Sequence, residues 1–204
     1  MPFLMKRPGE SDTPDSKREH FSPIGNLCDK REFFRFGRTG DRMRIMKPKI
    51  YLETTLVSYL TSRPSRDMTR ASRQAATRDL WDRIGEYEPY ASDLVIGEAE
   101  QGFPDAAAER LRALGKIPLL EITNEAQEIA DALLRSSAIP ETEPEDALHL
   151  GIAASNGMDI VVTWNFKHLN NPFTRLLVRQ TIENAGYICP EICSPEELLE
   201  GESP

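Results

Sequence analysis

The feature that most narrows the fold is an alternation: short β-rich runs are separated by longer stretches with helical spacing. Lys49–Leu52, Tyr90–Ala91, Ile117–Ile122 and Asp159–Thr163 read as strands, the last as a continuous Ile-Val-Val run. Residues 54–60, 69–85, 93–101, 104–114, 124–137, 143–156 and 174–184 read as helices. Several boundaries have their own chemistry. Thr54 and Thr55 are expected to cap the first helix, Ser92 the third and Asn124 the fifth, while Pro104 suits the first turn of the fourth. Before the sixth, Thr142 with Glu145 fits a capping box, or Glu143 caps with Pro144 at the first helical position. Strands joined through helices pair in parallel, so the pattern predicts an α/β layer fold with a mostly parallel sheet.

This pattern starts at Met46. Residues 1–45 interleave Pro, Gly, Ser and charges around one apolar knot, Phe33, Phe34 and Phe36, and are expected to be a disordered extension or a misassigned start. The 204 residues thus divide into 1–45 and one domain, 46–204. No run of about 18 apolar residues occurs and the N-terminus carries no apolar stretch, which argues against a membrane span or secretory signal. Three cysteines (Cys28, Cys189, Cys193) are too few for a disulfide framework, so a cytoplasmic location is expected. Charge is uneven. Residues 1–46 hold ten Lys/Arg against seven Asp/Glu, and residues 47–204 hold 15 against 26. A domain that acidic repels a phosphate backbone unless a basic stripe or a bound cation inverts the local field.

The acids fall at informative places. Glu53 ends the first strand, Asn165 lies just past the fourth, Asp146 occupies the first turn of the most apolar helix, and Glu98 sits one turn into the helix after the second strand. Ligands of open parallel sheets bind outside the carboxyl ends of the strands, where such residues meet. Glu98 shares the helical phase of Leu94 and Val95, so its carboxylate points toward protein and calls for a cation or a raised pKa. Asp146 has two readings: complement to the helix dipole, or member of the site. His149 reads as a satisfied core histidine. Grouped carboxylates with few histidines suit a hard cation, Mg²⁺ or Mn²⁺ rather than zinc, and such a cation can activate water against a phosphodiester. Cys189 and Cys193 make half a zinc site with no second half.

These residues resemble a known family. Tyr51-Leu52-Glu53-Thr54-Thr55 with Ser58-Tyr59-Leu60, Ser92 with Val95-Ile96 and Glu98, Asp146-Ala147-Leu148-His149-Leu150, and Thr163-Trp164-Asn165-Phe166-Lys167-His168-Leu169 look like the successive motifs of PIN domains, in particular the VapC-like toxin ribonucleases and their solitary relatives. The likeness runs from Met46 to about Leu199. It implies a three-layer α/β/α sandwich with a short, mostly parallel sheet, Mg²⁺- or Mn²⁺-dependent endoribonuclease activity, a homodimer, and an antitoxin partner. By position it implies that Glu53, Glu98 and Asp146 hold the metal, and that Asn165 and Thr163 complete the catalytic set by positioning water or the ligating acids. Two positions depart from the usual pattern. Glu53 stands where Asp is commoner and reaches about 1.5 Å further, so either the metal sits slightly farther out or the strand end shifts. Asn165 stands where a further acid is frequent, so one tightly held metal and a weak second are expected.

Arg63, Arg66, Arg70, Arg73, Arg78 and Arg83 form the basic concentration of the domain. Arg66, Arg70 and Arg73 are spaced to share one face if helical, which suits an RNA backbone; the other reading is a solvated face paired with Asp67, Asp79 and Asp82. The leading expectation is a metal-dependent ribonuclease. Its rivals are a non-catalytic PIN-like module that binds RNA or a protein, and a metal-dependent phosphatase on small substrates.

Overall fold

The computed structural model describes residues 46–201, so the expected disordered extension over 1–45 lies outside the described residues. The chain runs β1 (Lys49–Leu52), α1 (Thr54–Thr61), α2 (Met68–Asp82), a 3-10 turn (Ile84–Glu86), β2 (Glu88–Ser92), α3 (Asp93–Ala99), α4 (Pro104–Leu114) and β3 (Leu119–Leu120). It continues through α5 (Asn124–Arg135), α6 (Pro144–Ser155), β4 (Ile160–Val162), α7 (Pro172–Asn184), β5 (Glu191–Cys193) and α8 (Pro195–Glu200). The strands form one all-parallel sheet in the order β3-β2-β1-β4-β5. From central β1 the chain steps outward through β2 to β3, then returns past β1 to build β4 and β5. The order therefore switches direction between β1 and β4, and in open parallel sheets ligands bind outside the strands' carboxyl ends at such a point.

The two-residue period of a strand divides the core into two layers. Tyr51, Ala91, Val161 and Ile192 enter one cluster with Val95, Ile129, Leu133, Leu150, Ile152, Val178 and Ile182, hence with α3, α5, α6 and α7. Ile50, Leu52, Ile160, Val162 and Cys193 enter the other with Leu56, Leu80 and Leu198, hence with α1, α2 and α8. Helices on both faces of a buried parallel sheet give the expected three-layer α/β/α sandwich. Among the described residues no helix is long and apolar enough to cross a membrane.

One glycine fixes how α6 lies. A Cβ at Gly151 would come within 2.1 Å of the Ala126 carbonyl oxygen on α5, so the two backbones touch where only glycine fits. Because α6 also carries Asp146 and His149, this packing sets the position of both side chains.

Several expectations change in detail. The strand expected over Ile117–Ile122 shrinks to Leu119–Leu120, because β3 is an edge strand paired only with Ala91 and Ser92; Pro118 has no N–H to give and contributes its carbonyl to Ala91. Conversely β2 reaches back to Glu88 and takes Pro89 into the strand. Thr54 and Thr55 do not cap α1: Glu53 occupies the N-cap position without a side-chain bond, and both hydroxyls are used elsewhere. Thr123, not Asn124, caps α5 through Ala126 N. At α6 the frame with Glu143 before Pro144 is the one formed, again without a side-chain cap bond. β5 and α8 had no counterpart in the sequence reading. Cys189 and Cys193, weighed there as half a zinc site, are core side chains, and burial pushes the Cys189 thiol up to about 12, away from a metal-binding thiolate.

Candidate metal centre

Glu53 follows β1 directly and is 4% exposed. Its backbone N–H continues the sheet by donating to Val162 O at 3.2 Å. Its Oε2 accepts from the Thr163 hydroxyl at 2.8 Å and from the Thr55 hydroxyl. Those hydroxyls in turn accept from the backbone: Thr163 Oγ1 from Asn165 N at 2.9 Å, and Thr55 Oγ1 from Trp164 N at 2.9 Å. The ends of β1 and β4 are thus laced together through one carboxylate oxygen, at the place where the strand order switches.

Glu98 arrives from the neighbouring strand. Ser92 ends β2 and caps α3 by accepting from Val95 N at 3.3 Å, and one turn later Glu98 faces inward, as its helical phase predicts. Its Oε2 accepts from the Thr54 hydroxyl and from His149 Nε2 at 3.0 Å. The other ring nitrogen, Nδ1, lies 2.8 Å from the Tyr51 hydroxyl, which lies 2.7 Å from Ser92 Oγ. His149 therefore does more than fill the core: it links Glu98 on α3 through Tyr51 on β1 to the cap of α3 itself. Burial of the ring opposes its protonation, but the bond to Glu98 and the fields of Glu53, Glu98 and Asp146 outweigh that and raise the pKa of His149. Burial likewise opposes ionisation of Glu98, and the bond from His149, its charge and the Thr54 hydroxyl reverse this and lower the pKa of the acid. The two groups form a charge-assisted pair within the structure.

Asp146 belongs to a second, adjoining group. Asn165 Nδ2 donates to both of its oxygens at 3.0 Å, and His168 Nδ1 lies 2.9 Å from Oδ2. Asn165 Oδ1 accepts from His168 N at 3.0 Å, so the loop after β4 closes around the carboxylate. Trp164, buried beside this loop, donates its ring N–H to Thr77 of α2 at 2.8 Å and fixes the loop to the helical layer. Glu143 lies 3.7 Å from His168.

Two separate sets each bring their ligand atoms within 4.8 Å of one another: Glu53, Glu98 and His149 in one, and Glu143, Asp146 and His168 in the other. The structure brings Glu53 and Glu98 together and places Asp146 with Glu143 and His168, on the same helix as His149 and one turn before it. Thr163 serves Glu53 and Asn165 serves Asp146, both as donors to an acid. The donor set fits a hard cation. Among the described residues the hydrogen bonds to Glu53 and Glu98 all go to Oε2, which leaves Oε1 of each without a donor there and available as a ligand.

Sequence reasoning passed over His168, Glu143, Thr54, Thr55, Tyr51 and the linking role of His149. A signal existed for two of them, since paired threonines directly after a strand-ending acid offer hydroxyls to that acid as readily as to a helix end. The arginine stripe changes shape. α2 begins at Met68 with Asp67 as its N-cap, so Arg66 precedes the helix and does not share a face with Arg70 and Arg73. Arg73 lies against aromatic rings, 5.0 Å from the Phe166 centroid, 5.5 Å from Trp164 and 5.9 Å from Tyr59. Among the described residues Arg66, Arg70 and Arg73 make no ion pair with Asp79 or Asp82, as the rival reading would have it; Asp67 accepts from the backbone N–H of Arg70.

No family model and no curated protein matches the chain. Solved structures show similarity in overall shape. The Mycobacterium tuberculosis toxin VapC20, described as cleaving the sarcin-ricin loop, aligns with a TM-score of 0.43 and 16% identity over 68% of this chain and 96% of its own. VapBC2 from Rickettsia felis, bound to a DNA fragment from its promoter, aligns with a TM-score of 0.46 and 13% identity over 72% and 98%. A tyrosyl-tRNA synthetase from Archaeoglobus fulgidus aligns at 0.38 and 14% over 72% of this chain and 54% of its own. Resemblance at this level leaves the chemistry of the cleft to its own side chains.

Proposed function

We propose that the crevice between β1 and β4 is a divalent-metal site for hydrolysis of RNA phosphodiester bonds, the activity that the motif resemblance to PIN domains implies. The observation that carries the reading is the meeting of Glu53, directly after β1, and Glu98, on α3, with one oxygen of each held by the protein and the other without a donor among the described residues. When bound, Mg²⁺ or Mn²⁺ would screen these acids, admit a phosphate and activate water. The chain's own part is positional. Thr55 and Thr163 hold Glu53, Thr54 and His149 hold Glu98, and Asn165 with His168 holds Asp146 at the rim, where it orients water or lends a further oxygen. Asn165 in place of an acid leaves the Asp146 side poorer in negative charge, which supports one tight metal and a weak second. On the same resemblance the protein is a cytoplasmic homodimer and the nuclease of a toxin–antitoxin pair.

The test is cleavage of single-stranded RNA by purified protein with Mn²⁺ or Mg²⁺. Activity is expected to vanish with chelator and with Asp146→Ala. A protein that binds RNA with metal present but never cuts it would instead be a binding module, and cleavage that survives Asp146→Ala would move the chemistry elsewhere. Release of phosphate from small esters without RNA cutting would identify a phosphatase.

A further inference from the structure

A cavity of about 400 Å³ lies between α1, the turn 62–65, the start of α2 and α4, and its walls carry three arginines, Arg63, Arg70 and Arg110. In a chain of net charge −8 this is a local reversal of sign. The three differ in their engagement. Arg110 is anchored by donating Nε to Ala99 O at 3.0 Å, whereas the exposed guanidinium groups of Arg63 and Arg70 make no ion pair among the described residues.

The cavity is built by a buried polar side chain. Gln74, 3% exposed, donates to Ser62 Oγ at 2.7 Å and Arg63 O at 2.9 Å and accepts from Ser65 N at 2.9 Å. These bonds fix the turn that carries Arg63. Tyr59, a further wall, leads out of the cavity: its hydroxyl accepts from Arg73 at 3.1 Å, its ring lies 5.7 Å from Trp164, and the Arg73 guanidinium spans from Tyr59 to the exposed ring of Phe166. Trp164 and Phe166 flank Asn165, the partner of Asp146. A run of ring and guanidinium contacts thus leads from the residues beside Asn165 to the cavity wall.

We infer that the Arg63–Arg70–Arg110 cavity is a phosphate subsite that grips the backbone of a single-stranded RNA away from the scissile bond, the intervening strand lying over Phe166, Arg73 and Tyr59. The inference rests on the nuclease reading for the identity of its ligand. Unpaired guanidinium groups match phosphate oxygens in fork geometry, and aromatic faces accept any unstacked base. An acidic protein segment would use the arginines but leave the aromatic path without a purpose.

The experiment measures anisotropy of a short fluorescent oligouridine on the intact chain, with chelator to prevent cutting, across a salt series. For a single strand the slope of log affinity against log salt is expected to flatten by about 0.7 for each arginine lost in Arg63→Ala and Arg63→Ala/Arg70→Ala, with Arg78→Ala as an exposed control that keeps the wild-type slope. An unchanged slope in the double variant overturns the inference, as does an equal loss of affinity for oligoglutamate. Cleavage with Mn²⁺ separates this result from the nuclease reading. If wild type cuts and the double variant keeps its KM and salt slope, the subsite falls and the nuclease stands. If the slope flattens as expected but wild type never cuts, the subsite stands as a strand-binding site and the nuclease falls.

Discussion

The two acid groups at the mouth of the sheet are built in opposite ways. Glu53, Glu98 and His149 come from a strand end and two helices, and His149 is 1% exposed. Glu143, Asp146 and His168 sit on the start of one helix and a loop, with Glu143 36% and His168 12% exposed. In the first group the hydrogen-bonding partners are hydroxyls and a buried ring from separate elements; in the second they are an amide and an imidazole carried by one loop. On the proposed reading the buried group would hold the cation, and the more exposed one would face a substrate that enters from solvent.

Substitutions can break that division. Glu53→Gln and Glu98→Gln each remove a proposed charged ligand and are expected to reduce Mn²⁺-dependent RNA cleavage to background. His168→Gln and Thr163→Val only loosen an acid, so losses of about 10–100-fold are expected, with His168→Gln leaving metal affinity untouched and Thr163→Val weakening it. Equal effects of both on metal affinity, measured by titration calorimetry, would erase the distinction between the groups. Gly151→Ala strikes both together by forcing α6 off α5. An overpacking cost of about 1–3 kcal/mol is expected in urea unfolding, and an unchanged midpoint would mean that the helices do not touch at Ala126.

The smallest expected effect sharpens the contrast through pH in metal-free protein. His149 is raised above its ordinary 6.5, so its contribution is complete below that value and is lost as pH rises through the higher folded pKa. Glu98 is lowered below its ordinary 4.5, so its contribution is complete above that value and is lost as pH falls through the lower folded pKa. The pair therefore contributes fully between 4.5 and 6.5. Thermal melts across pH should show wild type losing stability on the alkaline side relative to His149→Gln; parallel curves would mean that the pair carries no linked proton.

Much of this was legible in the sequence where one physical rule dominated. β1 and α4 have the bounds that alternation and Pro104 predict, and Ser92 caps α3 because a hydroxyl before Asp93-Leu94-Val95 has a backbone N–H within reach. Glu98 was found by helical phase alone. The losses came where a tertiary partner decided the matter. Ile192 and its two neighbours are too few to show a period, yet β4 recruits them as β5. Ser194-Pro195-Glu196-Glu197 is a complete capping box with proline in the first turn, a start signal that is legible in the sequence. His149 reads as core by its apolar neighbours, and only the fold reveals that Glu98 and Tyr51 lie at its two nitrogens. Arg66 would share a face with Arg70 and Arg73 only if helical, and the helix begins after it, at Met68 with Asp67 as its cap.

The most direct measurement is the melting temperature of the intact protein titrated with Mn²⁺, for wild type and for Glu53→Gln/Glu98→Gln. A cation that binds only the native form must raise it, by RT ln(1 + [L]/Kd) in free energy. The predicted result is a saturable rise in wild type that is lost in the double variant. A wild-type melting temperature indifferent to the ion, or the same rise in both proteins, would contradict the claim that these two carboxylates hold the metal.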